Sequence, residues 1–461
     1  MTRYQQLAEQ LKLQIETRVW RSGDKVPSVR MTSRNSSLST STVIQAYKLL
    51  EAQGWLVAKP QSGYFVTSIM GRVTEESSVK ATKPHFSDKL YEFLQSSSHA
   101  NVALGSAFPD PSLFPLQSIN RHLASAGRKM SINSVVENMP PGNEALRRQI
   151  AQRYINHGLS VSHNDIVITS GAMEALNLSL QVVTHPGDTI VIEAPAFYGA
   201  IQAVERLGLK AIEVPVNLET GLCVNQFEKV VSQNDIKVCW IMPSFQNPTG
   251  TCLSYRKRQK IIELANQFDV VVVEDDVYSE LYFGEQRPRP IKYWDKEDRV
   301  LLCGSFSKSL CPGYRVGWVV NQTFHERLQK AQLVSTLAGS LPVQEGIAHF
   351  LKYESFDKHL RKIRKELSNR QKILIQTINS YFPSNITVNR PSGGYFIWVE
   401  LGAYIDTYRV YKKLQKNGIS IAYGGLFSVK DQFQDCIRLN TSYPVTQELK
   451  ETVRYIALML S

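Results

Sequence analysis

Five apolar runs constrain this chain more than anything else in it: DIVITS, DTIVIEAP, KVCWIMPS, VVVVED and VLLCGSFS, spread over residues 165–307. Their hydrophobicity is continuous rather than alternating, the pattern of strands buried on both faces. Helical stretches separate them. Strand and helix in alternation predict a mostly parallel sheet covered by helices, an α/β domain. From about Tyr353 a long helical segment leads to strands around GGYFIWVEL and CIRLN, read as a smaller α/β subdomain over about 353–461.

The first 70 residues follow a different rule. Leu7, Leu11 and Ile15 form the i, i+4, i+8 stripe of an amphipathic helix. Gly23 and Pro27 break it, and a short helix is expected to begin near Pro27. STSTVIQAYKLLEAQG predicts another helix with Val43, Ala46, Tyr47 and Leu50 on its apolar face, stopped by Gly54. WLVAKPQSGYFVT then reads as two short strands around a turn. Helix, helix-turn-helix and wing make a winged-helix domain over residues 1–70. Residues 71–100 lose periodicity and read as a linker, with LYEFLQS as a short docking helix inside it. Residues 101–461 hold the α/β part.

A chain of 461 residues has room for two or three domains. Net charge is +12, and residues 1–70 hold nine Lys/Arg against four Asp/Glu, a local excess of five. That excess suggests an anionic partner, nucleic acid first. Cysteines 223, 239, 252, 303, 311 and 436 are scattered with no C-x-x-C pair, so no metal site is expected and the thiols read as reduced, in a cytoplasmic protein. No apolar run nears the roughly 18 residues that span a bilayer, so no membrane association is expected.

Candidate chemistry recurs at strand ends. Ser170, Gly171, Ala172 and Met173 mark a strand-to-helix turn whose amides suit a phosphate, although the same residues also make a plain tight turn. Phe197 and Tyr198 follow the next strand, either packing or stacking on a ring. Asn247 lies in an Asn-Pro-Thr-Gly turn that is also ordinary turn chemistry. Glu274, Asp275 and Asp276 come straight after four valines, and acids there are costly unless something compensates their charge. A protonated pyridine nitrogen would do so, with Tyr278 in reach of the same ring. In GSFSKSLCPGYRVGW, Lys308 is an amine able to form a Schiff base with an aldehyde, and Ser305 and Arg315 could clamp a phosphate. Taken singly, each charged residue also reads as a salt bridge or a solvated charge, and for Lys308 alone that plainer reading would win.

In this order the motifs resemble fold-type I pyridoxal phosphate enzymes of the class I/II aminotransferase family, over roughly residues 101–461. The resemblance implies pyridoxal 5′-phosphate as cofactor. It casts Lys308 as the aldimine lysine and Asp275 as the pyridine-nitrogen partner. Asn247 and Tyr278 would lie on the ring-hydroxyl side and Phe197 would stack on the ring. Ala172, Met173, Ser305, Ser307 and Arg315 would surround the phosphate. Arg438, in CIRLN, matches the arginine that grips an amino-acid carboxylate. Phe197 replaces a tyrosine common in relatives, which keeps the ring and loses a hydroxyl.

The sequence VPSVRMTSRNSSLSTSTVIQAYKLLEAQGWLVAKPQSGYFV resembles the GntR-type winged helix. By position, Arg30, Ser39, Thr40, Ser41 and Thr42 would face double-stranded DNA, with Ser62 and Gly63 at the wing tip. Relatives often carry arginines where this chain has Thr40 and Ile44, so base readout is expected to differ. A GntR-type reader joined to an aminotransferase-like domain resembles the MocR subgroup of bacterial transcription regulators. The resemblance implies a homodimeric regulator that senses pyridoxal phosphate, an amino acid or another amine. An active aminotransferase with an accessory DNA-binding domain is the alternative.

Overall fold

In a computed structural model, the structure describes residues 2–16, 19–20, 23–59, 62–67, 88–98, 100–137, 139–402, 405–430 and 432–460. They form two compact units divided at residue 78.

The first unit is a winged helix. Helix α1 (Arg3–Glu16) buries Leu7, Leu11 and Ile15, the expected stripe. Ser28 caps α2 (Val29–Ser36), its Oγ accepting from the Met31 amide, and Ser39 caps α3 (Thr40–Ala52). Val43, Ala46, Tyr47 and Leu50 of α3 are fully buried against α1. The Tyr47 hydroxyl donates to the Pro27 carbonyl at 2.7 Å and lies 2.7 Å from Thr32 Oγ1, which fixes the angle between α2 and α3. Strands β1 (Leu56–Lys59) and β2 (Gly63–Val66) pair antiparallel as the wing. Pro60 and Gln61, at its turn, lie outside the described residues.

Residues 71–87 and 99 of the expected linker also lie outside the described residues. The linker reading ends at Asp88. Helix α4 (Asp88–Ser98), which contains LYEFLQS, buries Leu90 and Phe93 in the core of the C-terminal subdomain. Two apolar residues a turn apart make this segment part of the second unit rather than a tether.

The second unit is built on an eight-stranded sheet. In chain order its strands are β3 (Ile166–Thr169), β4 (Thr189–Ala194), β5 (Lys210–Asn217), β6 (Gly221–Leu222), β7 (Ile236–Ile241), β8 (Val271–Asp275), β9 (Val300–Ser305) and β10 (Gly317–Val320). Their spatial order is β3-β10-β9-β8-β7-β4-β5-β6. Neighbouring pairs from β5 through β9 are parallel, while β10 runs antiparallel between β9 and β3. All five apolar runs are strands of this sheet. The reversal of β10 has a positional consequence. Its entry lies at the same sheet edge as the exits of β3, β8 and β9, so Arg315, two residues before β10, is delivered there beside Gly171 and Ser307 and within electrostatic reach of Lys308. Open α/β sheets bind ligands along such an edge.

A second sheet, β11 (Thr387–Val388), β12 (Phe396–Glu400), β13 (Ala422–Tyr423) and β14 (Cys436–Asn440), is antiparallel in the order β11-β12-β14-β13. The long helix Phe356–Tyr381 joins it to the large sheet. The subdomain draws on more chain than 353–461: besides α4, Val102 bridges to Ile419 and the Gly105 amide bonds the Ser420 carbonyl at 2.7 Å. Among the described residues no helix is long and apolar enough to cross a membrane.

Candidate cofactor site and nucleic-acid interface

Strand β3 ends at Thr169, and helix α5 (Ala172–Val183) begins three residues later. Gly171 takes φ +89° and offers α5 no side-chain cap. The amides of Ala172 and Met173 therefore open the helix toward a ligand, with the positive end of the helix dipole behind them. A Cβ on Gly171 would lie 2.3 Å from Arg315 Nη2, and one on Gly317 would lie 2.7 Å from the Ala172 nitrogen. Two hydrogen-only positions thus let a guanidinium and a strand close on the helix mouth. Arg315 itself sits at φ 51°, ψ 56°, in the left-handed region that side chains seldom occupy. Its Nη1 donates to Ser307 Oγ at 3.3 Å, and Ser305 Oγ accepts from the Ser307 amide at 3.0 Å. Helix amides, two hydroxyls and a guanidinium converge on one cradle, the chemistry of a phosphate ester site.

Lys308 follows β9 and is part-buried. Its Nζ donates to the Ala107 carbonyl at 2.9 Å and lies 4.7 Å from the centre of the Phe108 ring. Burial lowers its pKa to about 7, with Arg315 and Arg438 pushing the same way and Asp275 opposing them. Asp275, at the end of β8, is 2 % exposed and its Oδ1 has no hydrogen-bond partner. Burial is also what lifts its carboxyl to about 7, against a hydrogen bond from the Val277 amide. A buried carboxylate oxygen without a donor is an uncommon and costly feature. A protonated ring nitrogen would satisfy it, so the residues present fit the cofactor that the sequence motifs imply.

Tyr278 is buried, its ring 5.5 Å from that of Tyr395. Phe197 is partly buried, at the N-terminus of the helix Tyr198–Arg206. Asn247 is buried after β7, and its Oδ1 accepts from Arg438 Nη1 at 2.8 Å. The amide expected on the ring-hydroxyl side thus also holds the guanidinium. Arg438, in the middle of β14, is wholly buried, with its guanidinium carbon 4.4 Å from the Phe396 ring centre. Its Nε has no partner, and no acid pairs with it among the described residues. A charged fork in that setting is suited to a carboxylate.

In the first unit Arg30, Ser39, Thr40, Ser41, Ser62 and Gly63 are exposed, and Thr42 is half-buried. Ser39 Oγ caps α3, accepting from the Thr42 amide at 3.2 Å, and lies 2.7 Å from Thr42 Oγ1. Ser41 Oγ also lies 2.9 Å from Ser39 Oγ, so Ser39, Ser41 and Thr42 serve the helix start first and Thr40 carries the freer hydroxyl. Sequence reasoning passed over Gln45 and Lys48, exposed with Ser41 and Ile44 on one side of α3. The complement of the Val43, Ala46, Tyr47 and Leu50 stripe would have found them. It also missed Tyr395, in GGYFIW, and the Ala107 carbonyl, which no side-chain motif reveals.

Residues 110–456 match the model of the aminotransferase class I and II family, and residues 3–66 match that of the gntR family of bacterial regulatory proteins. The HTH-type transcriptional regulator YdcR of Escherichia coli is 41% identical over 464 aligned residues, covering 100% of this chain and 99% of its own. The chain belongs to the MocR-type regulators. The aminotransferase family of this MocR-type chain is one whose members use pyridoxal phosphate. Its second unit is similar to the kynurenine aminotransferase of Pyrococcus horikoshii, solved in complex with PMP, with KYN as substrate and KYA as product. That match has a TM-score of 0.76 at 28% identity and covers 82% of this chain and 95% of the other. LysN of Thermus thermophilus, an alpha-aminoadipate aminotransferase complexed with N-(5′-phosphopyridoxyl)-L-leucine, gives 0.74 at 27%, covering 81% and 95%.

Proposed function

We propose that this MocR-type protein is a transcription regulator whose second unit binds pyridoxal 5′-phosphate and an amine effector, and whose first unit reports occupancy to double-stranded DNA. One observation carries the reading: the Asp275 carboxylate, its Oδ1 without a donor, and the Lys308 amine share a sheet edge with a phosphate-type cradle, in a chain headed by a GntR reader. When bound, the cofactor supplies an electrophilic aldehyde and an electron-withdrawing ring. The chain's own residues do the rest. Lys308, held near neutrality, offers an uncharged amine. Asp275 keeps a proton on the ring nitrogen. Ala172, Met173, Ser305, Ser307 and Arg315 would hold the phosphate, Phe197 would stack on the ring, and Asn247 and Tyr278 would lie on its hydroxyl side. Arg438 orients an effector carboxylate, so the favoured effector is an amino acid or a similar carboxylated amine.

On the DNA side, Arg30, Ser39, Thr40, Ser41 and Thr42 contact the duplex, with Ser62 and Gly63 at the wing. Hydroxyls and helix-start amides hold phosphates well and carry little sequence information. A homodimer in the cytoplasm fits paired readers on paired half-sites. A second reading, a working aminotransferase, draws support from the same Lys308, because an amine titrating near pH 7 also suits proton transfer. Recording the visible spectrum of the purified protein and mapping bound genomic DNA with and without amino acids tests both. A colourless protein that binds no DNA would overturn the proposal. A coloured protein whose DNA map ignores every amine, while it turns those amines over, would favour the enzyme.

A further inference from the structure

A second concavity, of about 880 Å³, lies along the first half of the helix Phe356–Tyr381, walled opposite by Tyr282–Glu285 and His157. Its size falls within the range of small-molecule sites. On the helix face that lines it, Arg361, Lys365 and Lys372 recur at four and seven residues, the spacing that stacks side chains on one side of a helix. All three are exposed, and none makes an ion pair among the described residues. Ser368 and Asn369 add hydrogen-bonding groups between them.

The groove is also stiffened from beneath. Arg153 Nη2 pairs with Glu280 at 2.8 Å, and Arg364 Nε donates to the Glu280 carbonyl at 2.8 Å while stacking 3.8 Å from the Tyr282 ring centre. Arg287 ties Glu280 to Asp276 at 3.1 and 3.0 Å. Burial by itself would raise the Glu280 carboxyl, yet Arg287 and Arg153 hold it down at about 2. Two acids of the groove are already engaged, Asp357 by Arg153 and Glu366 by Arg370. Among the described residues that line it, Glu285 is the acid left to face three unpaired cations. A solvated basic helix face would be convex and would need no opposing wall, whereas this one faces a concavity on preorganised arginines.

We propose that this groove is a ligand site, separate from Lys308, for a small multivalent anion bearing phosphate or several carboxylates. Its occupant would bridge Arg361, Lys365 and Lys372, with charge complementarity as the main source of affinity.

Calorimetric titration of the full chain with inorganic pyrophosphate and with citrate, at low salt, tests this. The expected result is a saturable groove site for at least one probe, distinct from any uptake at the cradle at the mouth of α5. It should be weakened tenfold or more in Arg361→Ser/Lys372→Ser and be unchanged in Arg315→Ala. Loss in Arg315→Ala with retention in the groove variant would put the anion at the mouth of α5 and overturn the proposal, as would non-saturable uptake or no heat from either probe. Lower affinity of the groove variant for random-sequence duplex DNA, with pyrophosphate binding untouched, would make the groove a nucleic-acid track and overturn it as well. Arg361→Gln, a single exposed change, carries the test if the double variant fails to fold, with a weakening of about threefold expected.

Discussion

Lys308 and Asp275 owe their chemistry to being taken out of water together. Their shifts run in opposite directions, the amine down and the carboxyl up, both to about 7. For Lys308 the sign is clear. The folded chain disfavours the charged amine, so the neutral nucleophile gains over the ammonium as pH rises through about 7. Capture of pyridoxal phosphate, followed as visible absorbance against pH, should therefore rise with a midpoint near 7; a midpoint near that of free lysine would contradict the assignment. Lys308→Ala should lose the absorbance and keep its circular dichroism. Asp275→Asn should weaken cofactor binding while stabilising the cofactor-free fold by about 1 kcal/mol in urea melts, because it removes a buried carboxylate charge whose Oδ1 has no donor. Arg438→Lys should spare cofactor loading and cost about 2 kcal/mol in affinity for carboxylated amines, as one point charge replaces a planar fork. These residues were legible because acids after four valines, and a lysine among serines, are conspicuous. The Ala107 carbonyl was not, since its role lies in backbone geometry.

At the scale of elements, continuous hydrophobicity located five strands, and two longer-range features escaped it. Strand β5 carries Lys210, Glu213 and Pro215, which break the apolar pattern. Glu213 is tolerated because its carboxylate accepts from the Ser428 hydroxyl and the Val429 amide, partners more than 200 residues away. Strand β10, four residues long like β3, opens on Gly317 and was not among the five runs, yet it brings Arg315 to the site. Gly317→Ala tests that delivery. Its Cβ would meet the Gly171 carbonyl carbon at 2.5 Å, so the helix mouth must move. Overpacking there should cost about 1–3 kcal/mol and lower cofactor affinity. The docking helix was legible from Leu90 and Phe93, although its place on the C-terminal subdomain was not. Phe93 meets the rings of Tyr198, Tyr411 and Tyr423 at 5.9 to 6.5 Å. Phe93→Ala should destabilise the second unit by about 3–5 kcal/mol, read as a lower denaturant midpoint.

At the scale of the whole molecule, a basic reader and a cofactor-type unit are joined in one chain, and the account requires that they communicate. DNA affinity should fall steeply with salt, and Arg30→Ala or Lys48→Ala should each reduce the log–log slope by about one, the value of one lost phosphate contact. The central claim is the coupling of Lys308 chemistry to DNA. Affinity for a duplex selected from a random pool should be measured for the wild type and for Lys308→Ala, with and without pyridoxal phosphate and a panel of amino acids. The account predicts a change of about fivefold or more in the wild type, the lower end of ordinary coupling energies, and none in the variant. Equal responses in the two proteins, or no response in either, would contradict it.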